Sequence, residues 1–178
     1  VLDTGIRYTH QELANQIWIN EDEVPNNGLD DDNDGFVDNI YGADLFYNDG
    51  DPMDIQGHGT HVAGTIGASA GDGHRHVGVA WEVRLMAVKV MADQGFGSTS
   101  AMIDGIEFAT LNGAHVINMS IGGYGYSLSA YDMLSEAGDA GIIISISSGN
   151  DGRDNDSLPH YPSDYELENI ISVAATAR

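Results

Sequence analysis

The chain has 178 residues, with 28 acidic against 6 basic side chains and a formal charge of −22. That balance excludes general nucleic-acid binding, which needs clustered Lys and Arg, and favours cation binding. The absence of cysteine excludes disulfides, zinc thiolate sites and a Cys nucleophile, and no apolar run approaches the roughly 18 residues of a membrane span. Apolar content of 42% and 23 glycines suit a globular α/β chain with many tight turns.

In chain order, VL at the start reads as the end of a buried strand, followed at once by the turn DTG (3–5). Residues 12–54 are acidic and rich in Asn and Gly, and are expected to form a long loop region with an acidic insertion at about 20–54. THVAGTIGASA (60–70) reads as a helix of small residues packed close against its neighbours, and VRLMAVKVM (83–91) as a strand with few charges. STSAMIDGIEFATLNG (98–113) carries Met102, Ile103, Ile106 and Phe108 as an approximate helical stripe ending at a Gly stop. AHVINMS (114–120) is a strand, SLSAYDMLSEAGDAG (127–141) a helix, GIIISIS (141–147) a strand and NIISVAA (169–175) the last strand. Near-continuous apolar strands alternating with helices predict an α/β fold, a mostly parallel sheet with helices on both faces. Both ends read as cut inside elements, so residues 1–178 are expected to be one partial domain.

The densest motif is QGHGTHVAGTIG (56–67), with two histidines three apart and glycine on both sides of the first. Two imidazoles at i and i+3 share a helix face and can grip zinc, although HExxH and a third ligand at familiar spacing are missing. Glycines also let substrate and backbone approach a single working base. A plain helix start with two polar residues is the third reading. In a parallel sheet the site lies at the carboxyl ends of the strands. Asp3, Ser120 and Asn150 each follow a predicted strand, and His58 opens a helix that can face the same crevice. An Asp to orient an imidazole, the imidazole as base and an amide to donate to an oxyanion suit acyl transfer.

The motifs DTG (3–5), HGTHVAG (58–64), NMSIGG (118–123) and SGN (148–150) resemble, in order, those of the subtilisin-like serine peptidases, and the resemblance runs from end to end. It implies that Asp3 holds His58, the general base, that the glycines around His58 leave room for substrate, and that Asn150 serves the oxyanion hole. His61 would be structural, hydrogen-bonded inside the helix packing. Gly95, Phe96 and Gly97 in QGFGSTS (94–100) resemble the edge that pairs with an extended peptide, and Ser120, Ile121 and Gly122 the opposite wall of the primary pocket. Gly122 and Gly123 would leave the pocket mouth open to large apolar side chains. The implied partners are protein or peptide substrates in extended conformation and a propeptide, with neither nucleic acid nor membrane, in an extracellular setting. The nucleophile motif GTSxAxP is not in this sequence, so the chain alone is expected to be inactive and its parent protein active. The competing class is a non-catalytic calcium-binding domain or a pseudoenzyme of the same fold.

Calcium (Ca2+) is the expected cofactor. In GLDDDNDGFVDN (28–39), Asp30, Asp32, Asp34 and Asp38 stand at positions 1, 3, 5 and 9 of a D-x-D-x-D-G loop, with Gly35 at the sharp turn and the Phe36 carbonyl at position 7. Position 12 is Tyr41, so the bidentate Glu is missing, and Asp44 or Asp49 would have to make good that loss. Glu12 and Asp72 resemble a second, structural calcium pair of the family.

Overall fold

The computed structural model describes residues 1–70, 73 and 76–176, in two compact units, Val1–Ala101 and Met102–Arg178. In the first, β1 (Leu2–Asp3), β2 (Gly42–Asp44), α1 (His58–Gly67) and β3 (Ala87–Lys89) follow one another. β3 lies between the other two strands and is parallel to both, pairing Leu2 with Val88, Asp3 with Lys89 and Asp44 with Lys89. β2 falls inside the region expected to be loop. A Gly-Ala-Asp strand has neither the length nor the apolar alternation that marks a strand in sequence. Its glycine is compulsory, because a Cβ at Gly42 would lie 1.8 Å from the Ala87 carbonyl oxygen.

The core of this unit gathers Ile6, Leu13, Ile17, Ala63, Leu85 and Ala87. Leu13 and Ile17 also come from the supposed loop region, and Ile17 bridges Leu85. Burying one such Leu or Ile is worth about 1.5–3 kcal/mol, so the acidic segment is anchored at its base by apolar contact. α1 packs closely, as its small residues imply: a Cβ at Gly67 would meet Val83 Cγ2 at 2.5 Å. Lys89 is buried at the end of β3. Asp44 Oδ2 at 3.0 Å and Asp93 Oδ1 at 2.8 Å neutralise it, and its ammonium lies over the Tyr47 ring.

The chain passes between the units within α2 (Thr99–Leu111). The second unit contains β4 (Val116–Met119), α3 (Leu128–Asp139), β5 (Ile143–Ser147) and β6 (Ile170–Val173). Its three strands are parallel, with Ile117 opposite Ile144 and Ile144 opposite Ile170. Ser127 caps α3, its Oγ accepting from the Ala130 amide, and Tyr165 fixes the cap by bonding both backbone groups of Ser127. Ile117, Met119, Ile144 and Ile146 are buried, whereas Val116, Ile143, Ile171 and Val173 are exposed. No described helix is long and apolar enough to cross a membrane.

Candidate active site

β1 ends at Asp3 and α1 begins at His58, and the two side chains meet. His58 Nδ1 lies 2.6 Å from Asp3 Oδ1; Asp3 is fully buried while the imidazole is about half exposed. The Thr4 amide donates to the same oxygen at 2.7 Å. A buried carboxylate on Nδ1 fixes the tautomer that leaves Nε2 as the outward lone pair, the state a general base requires.

The local sequence builds this contact through a residue that sequence reading overlooked. Gly57, at the helix N-cap, has φ 103° and no side chain, so it cannot cap α1. Asp54 takes over that role. Its Oδ2 accepts from the Thr60 amide and hydroxyl, and its Oδ1 from the amides of Gln56 and Gly57 and the hydroxyl of Thr4. Burial acts to raise the Asp54 pKa, but the donors from Gly57, Thr60 and Thr4 outweigh it and hold the carboxyl below its usual value. Thr4 Oγ1 in turn accepts from the Gly59 amide at 2.9 Å, tying the DTG turn to the helix start. The D-x-x-G-x-x-T spacing of Asp54, Gly57 and Thr60 was the available signal: an acceptor placed upstream of a glycine cap.

Gly59, beside His58, has a use beyond the one expected. A Cβ at Gly59 would lie 2.1 Å from the Gly5 carbonyl oxygen and 3.0 Å from Asp3 Cβ. Gly59 therefore lets the helix press on the Asp3–Gly5 turn, which sets the short Asp3–His58 distance. His61 departs from expectation as well. It is exposed, not inside the helix packing, and lines a cavity of about 700 Å³ with Arg7, His10, Glu12 and His76. Among the described residues, no third ligand joins His58 and His61 in a metal-holding group.

Within the first unit, Gly95, Phe96 and Gly97 form a tight return at the end of β3. The Ala92 amide donates to the Phe96 carbonyl, and Met91 bridges Gly97. Within the second, Asn150 is exposed just after Gly149, whose φ is 94°, and no described residue holds its amide. Ser120, Ile121 and Gly122 leave β4, and Gly123 pairs with Tyr161 through two backbone hydrogen bonds of 2.8 and 2.7 Å. Gly123 is open, but the space beside Gly122 is not: a Cβ there would lie 2.2 Å from His160 Cε1.

A family model described as the subtilase family matches residues 1–178. The chain belongs to the subtilase family. It is 36% identical to Subtilisin-like protease 1 of Plasmodium vivax over 89% of this chain and 25% of that protein. Against the Thermophilic serine proteinase of Bacillus sp. (strain AK1) it is 34% identical, over 98% of this chain and 37% of the other. The crystal structure of a cold adapted subtilisin-like serine proteinase superposes with a TM-score of 0.67 at 31% identity, covering 91% of this chain and 49% of that one. The parallel strands and helices described above are thus the α/β subtilisin-like arrangement, and the subtilase chain spans about half or less of the relatives it matches.

The acidic loop of this subtilase brings Glu23, which the spacing does not suggest, to two of the carboxylates that it does. Glu23, Asp30 and Asp32 each offer a ligand oxygen, all within 4.8 Å of one another. Glu23 is 5% exposed; its Oε1 accepts from the Asp31 and Asp32 amides, while its Oε2 is buried without a partner. Such an orphan oxygen among like charges fits a hard cation. Asp34 accepts from the Phe36 amide and Asn39 Nδ2, and its pKa is raised by burial and by Asp32 and Asp30 beside it. Asp38 gives both oxygens to the amides of Asn27 and Gly28. Gly35 makes the expected sharp turn at φ 100°. Glu12 is buried, and Asp72 lies outside the described residues.

Proposed function

We propose that this chain is part of a secreted serine endopeptidase that hydrolyses peptide bonds through an Asp-His-Ser triad, with Asp3 as orienting carboxylate and His58 as base. The supporting observation is the 2.6 Å contact between buried Asp3 and the Nδ1 of exposed His58. In the reaction, His58 Nε2 takes the proton of a serine hydroxyl as its oxygen attacks the scissile carbonyl. It then gives that proton to the leaving amine, and water repeats the sequence on the acyl-enzyme. The serine comes from outside the 178 residues, since GTSxAxP is not among them. Asn150 donates its amide to the developing oxyanion. Gly95–Gly97 is the edge that pairs with an extended peptide as an added strand, Ser120–Gly122 contacts its side chains, and a propeptide is a further partner. The test is labelling of the full-length protein by a serine-directed fluorophosphonate: wild type reacts, His58→Ala does not, and equal labelling of both would overturn the reading.

A structural calcium ion in the acidic loop is the second part of the proposal. Glu23, Asp30 and Asp32 supply its carboxylates, with Asp34, Asp38 and the Phe36 carbonyl as the further oxygens the loop spacing offers. The buried, unpartnered Oε2 of Glu23 supports it. The ion's role is to hold the loop together against repulsion among carboxylates, away from the chemistry. Melting of the full-length protein in calcium and in chelator measures it without reference to activity.

A further inference from the structure

Asn150 is exposed and no described residue holds its carboxamide, yet the chain on both sides of it is tied down within the second unit. Before it, the Ser148 amide donates to the Val173 carbonyl at 3.0 Å, and Asn155 Nδ2 donates to the Ser148 carbonyl at 3.2 Å. Gly149 lies against the buried His160 ring, since a Cβ built there would stand 3.2 Å from His160 Cδ2. After it, the Asp151 carboxylate accepts from the Tyr124 hydroxyl. The turn that bears Asn150 is thus secured at one end from β6 and at the other, through Tyr124, from the segment that follows β4.

Tyr124 has the form of a strut. Its foot is Gly123, which the two backbone hydrogen bonds to Tyr161 hold in place. Its ring stands edge-on to His160, 5.6 Å between centroids, and the Arg153 guanidinium lies over its face, 5.4 Å from the centroid. Tyrosine has few side-chain torsions to lose, so it reaches a carboxylate at smaller entropic cost than a long flexible donor. With 46% of its surface exposed, Tyr124 adds little to the core, and the hydroxyl is what makes the tie. The hydrogen bond to Asp151 raises the phenol pKa above its usual value, so the donor persists at alkaline pH, where His58 is a free base. We propose that Tyr124, acting through Asp151, is a positioning residue for Asn150: it fixes the backbone from which the carboxamide reaches the oxyanion. Such a donor is effective only when preorganised about 3 Å from the developing charge. Carried on an exposed turn after a glycine of positive φ, it drifts unless the turn is held at both ends.

The inference rests on the peptidase reading and on Asn150 as the oxyanion donor. In the full-length protein, Tyr124→Phe keeps the ring and removes the hydroxyl alone. It should lower kcat by about tenfold and leave KM and melting temperature close to wild type, because a misplaced donor weakens transition-state binding and not substrate binding. Asp151→Ala should do the same, and Asp151→Asn, which keeps an acceptor oxygen, should recover most of the loss. In an Asn150→Ala background, Tyr124→Phe should change kcat by less than about twofold. An unchanged kcat in Tyr124→Phe, or the same tenfold loss with the Asn150 amide already gone, overturns the positioning role and leaves the peptidase reading intact. Full kcat in Asn150→Ala overturns the oxyanion assignment and this inference with it. A wild type that cleaves no peptide and takes no fluorophosphonate overturns the reading on which both rest.

Discussion

Two carboxylate sites in the first unit handle negative charge in opposite ways. At the start of α1, Asp54 spends its two oxygens on five donors from Thr4, Gln56, Gly57 and Thr60. In the acidic loop, Glu23 gives one oxygen to two amides and leaves the other buried and bare, with Asp30 and Asp32 beside it. Fixed protein dipoles neutralise the first site, which is complete as it stands and serves as a rigid mount for Asp3 and His58. The second has too few donors for its charge and too many like neighbours, which is the observation that supports the proposed cation there. The number of amides aimed at a carboxylate, more than the number of carboxylates, separates scaffold from ion site.

The largest expected effect comes from the residue that the scaffold holds. His58→Ala in the full-length protein should lower turnover by about 10⁶, the size known from subtilisin itself, with melting temperature little changed. Retained turnover, measured on a peptide substrate, would show that the Asp3–His58 pair is only structural. Asn150→Ala should cost less, about 10²–10³ in turnover, again the magnitude found in subtilisin. Asp54→Ala attacks the mount. It strands the amides of Gly57 and Thr60 and the Thr4 hydroxyl at once, and should destabilise the protein by about 3 kcal/mol in urea unfolding. The acid limb sharpens this. The folded pKa of Asp54 is depressed, so its stabilisation is complete above the unfolded value of about 3.9 and is lost as pH falls through the lower folded value. Asp54→Asn should therefore flatten that part of the stability curve, and an unchanged acid limb would place the titration elsewhere.

At the second site, calcium at 100 times its dissociation constant should stabilise the full-length protein by about 2.7 kcal/mol, seen as a rise in melting temperature of several degrees. Glu23→Gln keeps the shape but removes the buried charge and should abolish most of that rise. Asp38→Asn should leave a larger share of it, because Asp38 already satisfies both oxygens with the Asn27 and Gly28 amides. If instead Asp38→Asn erased the response and Glu23→Gln did not, the loop spacing would be the better guide to the ligands. The same pair of variants thus decides between sequence register and three-dimensional clustering.

The difference between the sites also explains what the sequence made legible. The strand–helix alternation, the Asp3–His58 pairing and the sharp turn at Gly35 follow from local patterns: apolar runs, a motif in fixed order, a glycine where φ must be positive. β2 did not, because Gly42–Asp44 is a strand only by virtue of lying against β3, and nothing apolar marks it. Asp54 was missed because its D-x-x-G-x-x-T spacing displays only the donors of Gly57 and Thr60, while those of Thr4 and Gln56 lie outside it. Glu23 stands seven residues before Asp30, outside the 12-residue loop template, and reaches it only because the segment folds back on itself.

The smallest effect belongs to His61, and its size tests how specific the α1 architecture is. Sequence placed His61 inside the packing, where removal would hurt folding. In the structure it is exposed one turn after His58, lines the cavity with Arg7 and His10, and its ring has no described hydrogen-bond partner. His61→Ala therefore removes no buried contact. It also replaces a middling helix former with the best one, a gain of a few tenths of a kcal/mol. Stability should stay within about 0.5 kcal/mol of wild type, and turnover should be unchanged. The contrast with His58 is the point of the measurement. Two imidazoles three residues apart on one helix should differ by about six orders of magnitude in their effect on rate, because only one is backed by a buried carboxylate. A His61→Ala protein that lost turnover as His58→Ala does would mean that the exposed face of α1 takes part in the reaction, and that burial of Asp3 is not what selects the base.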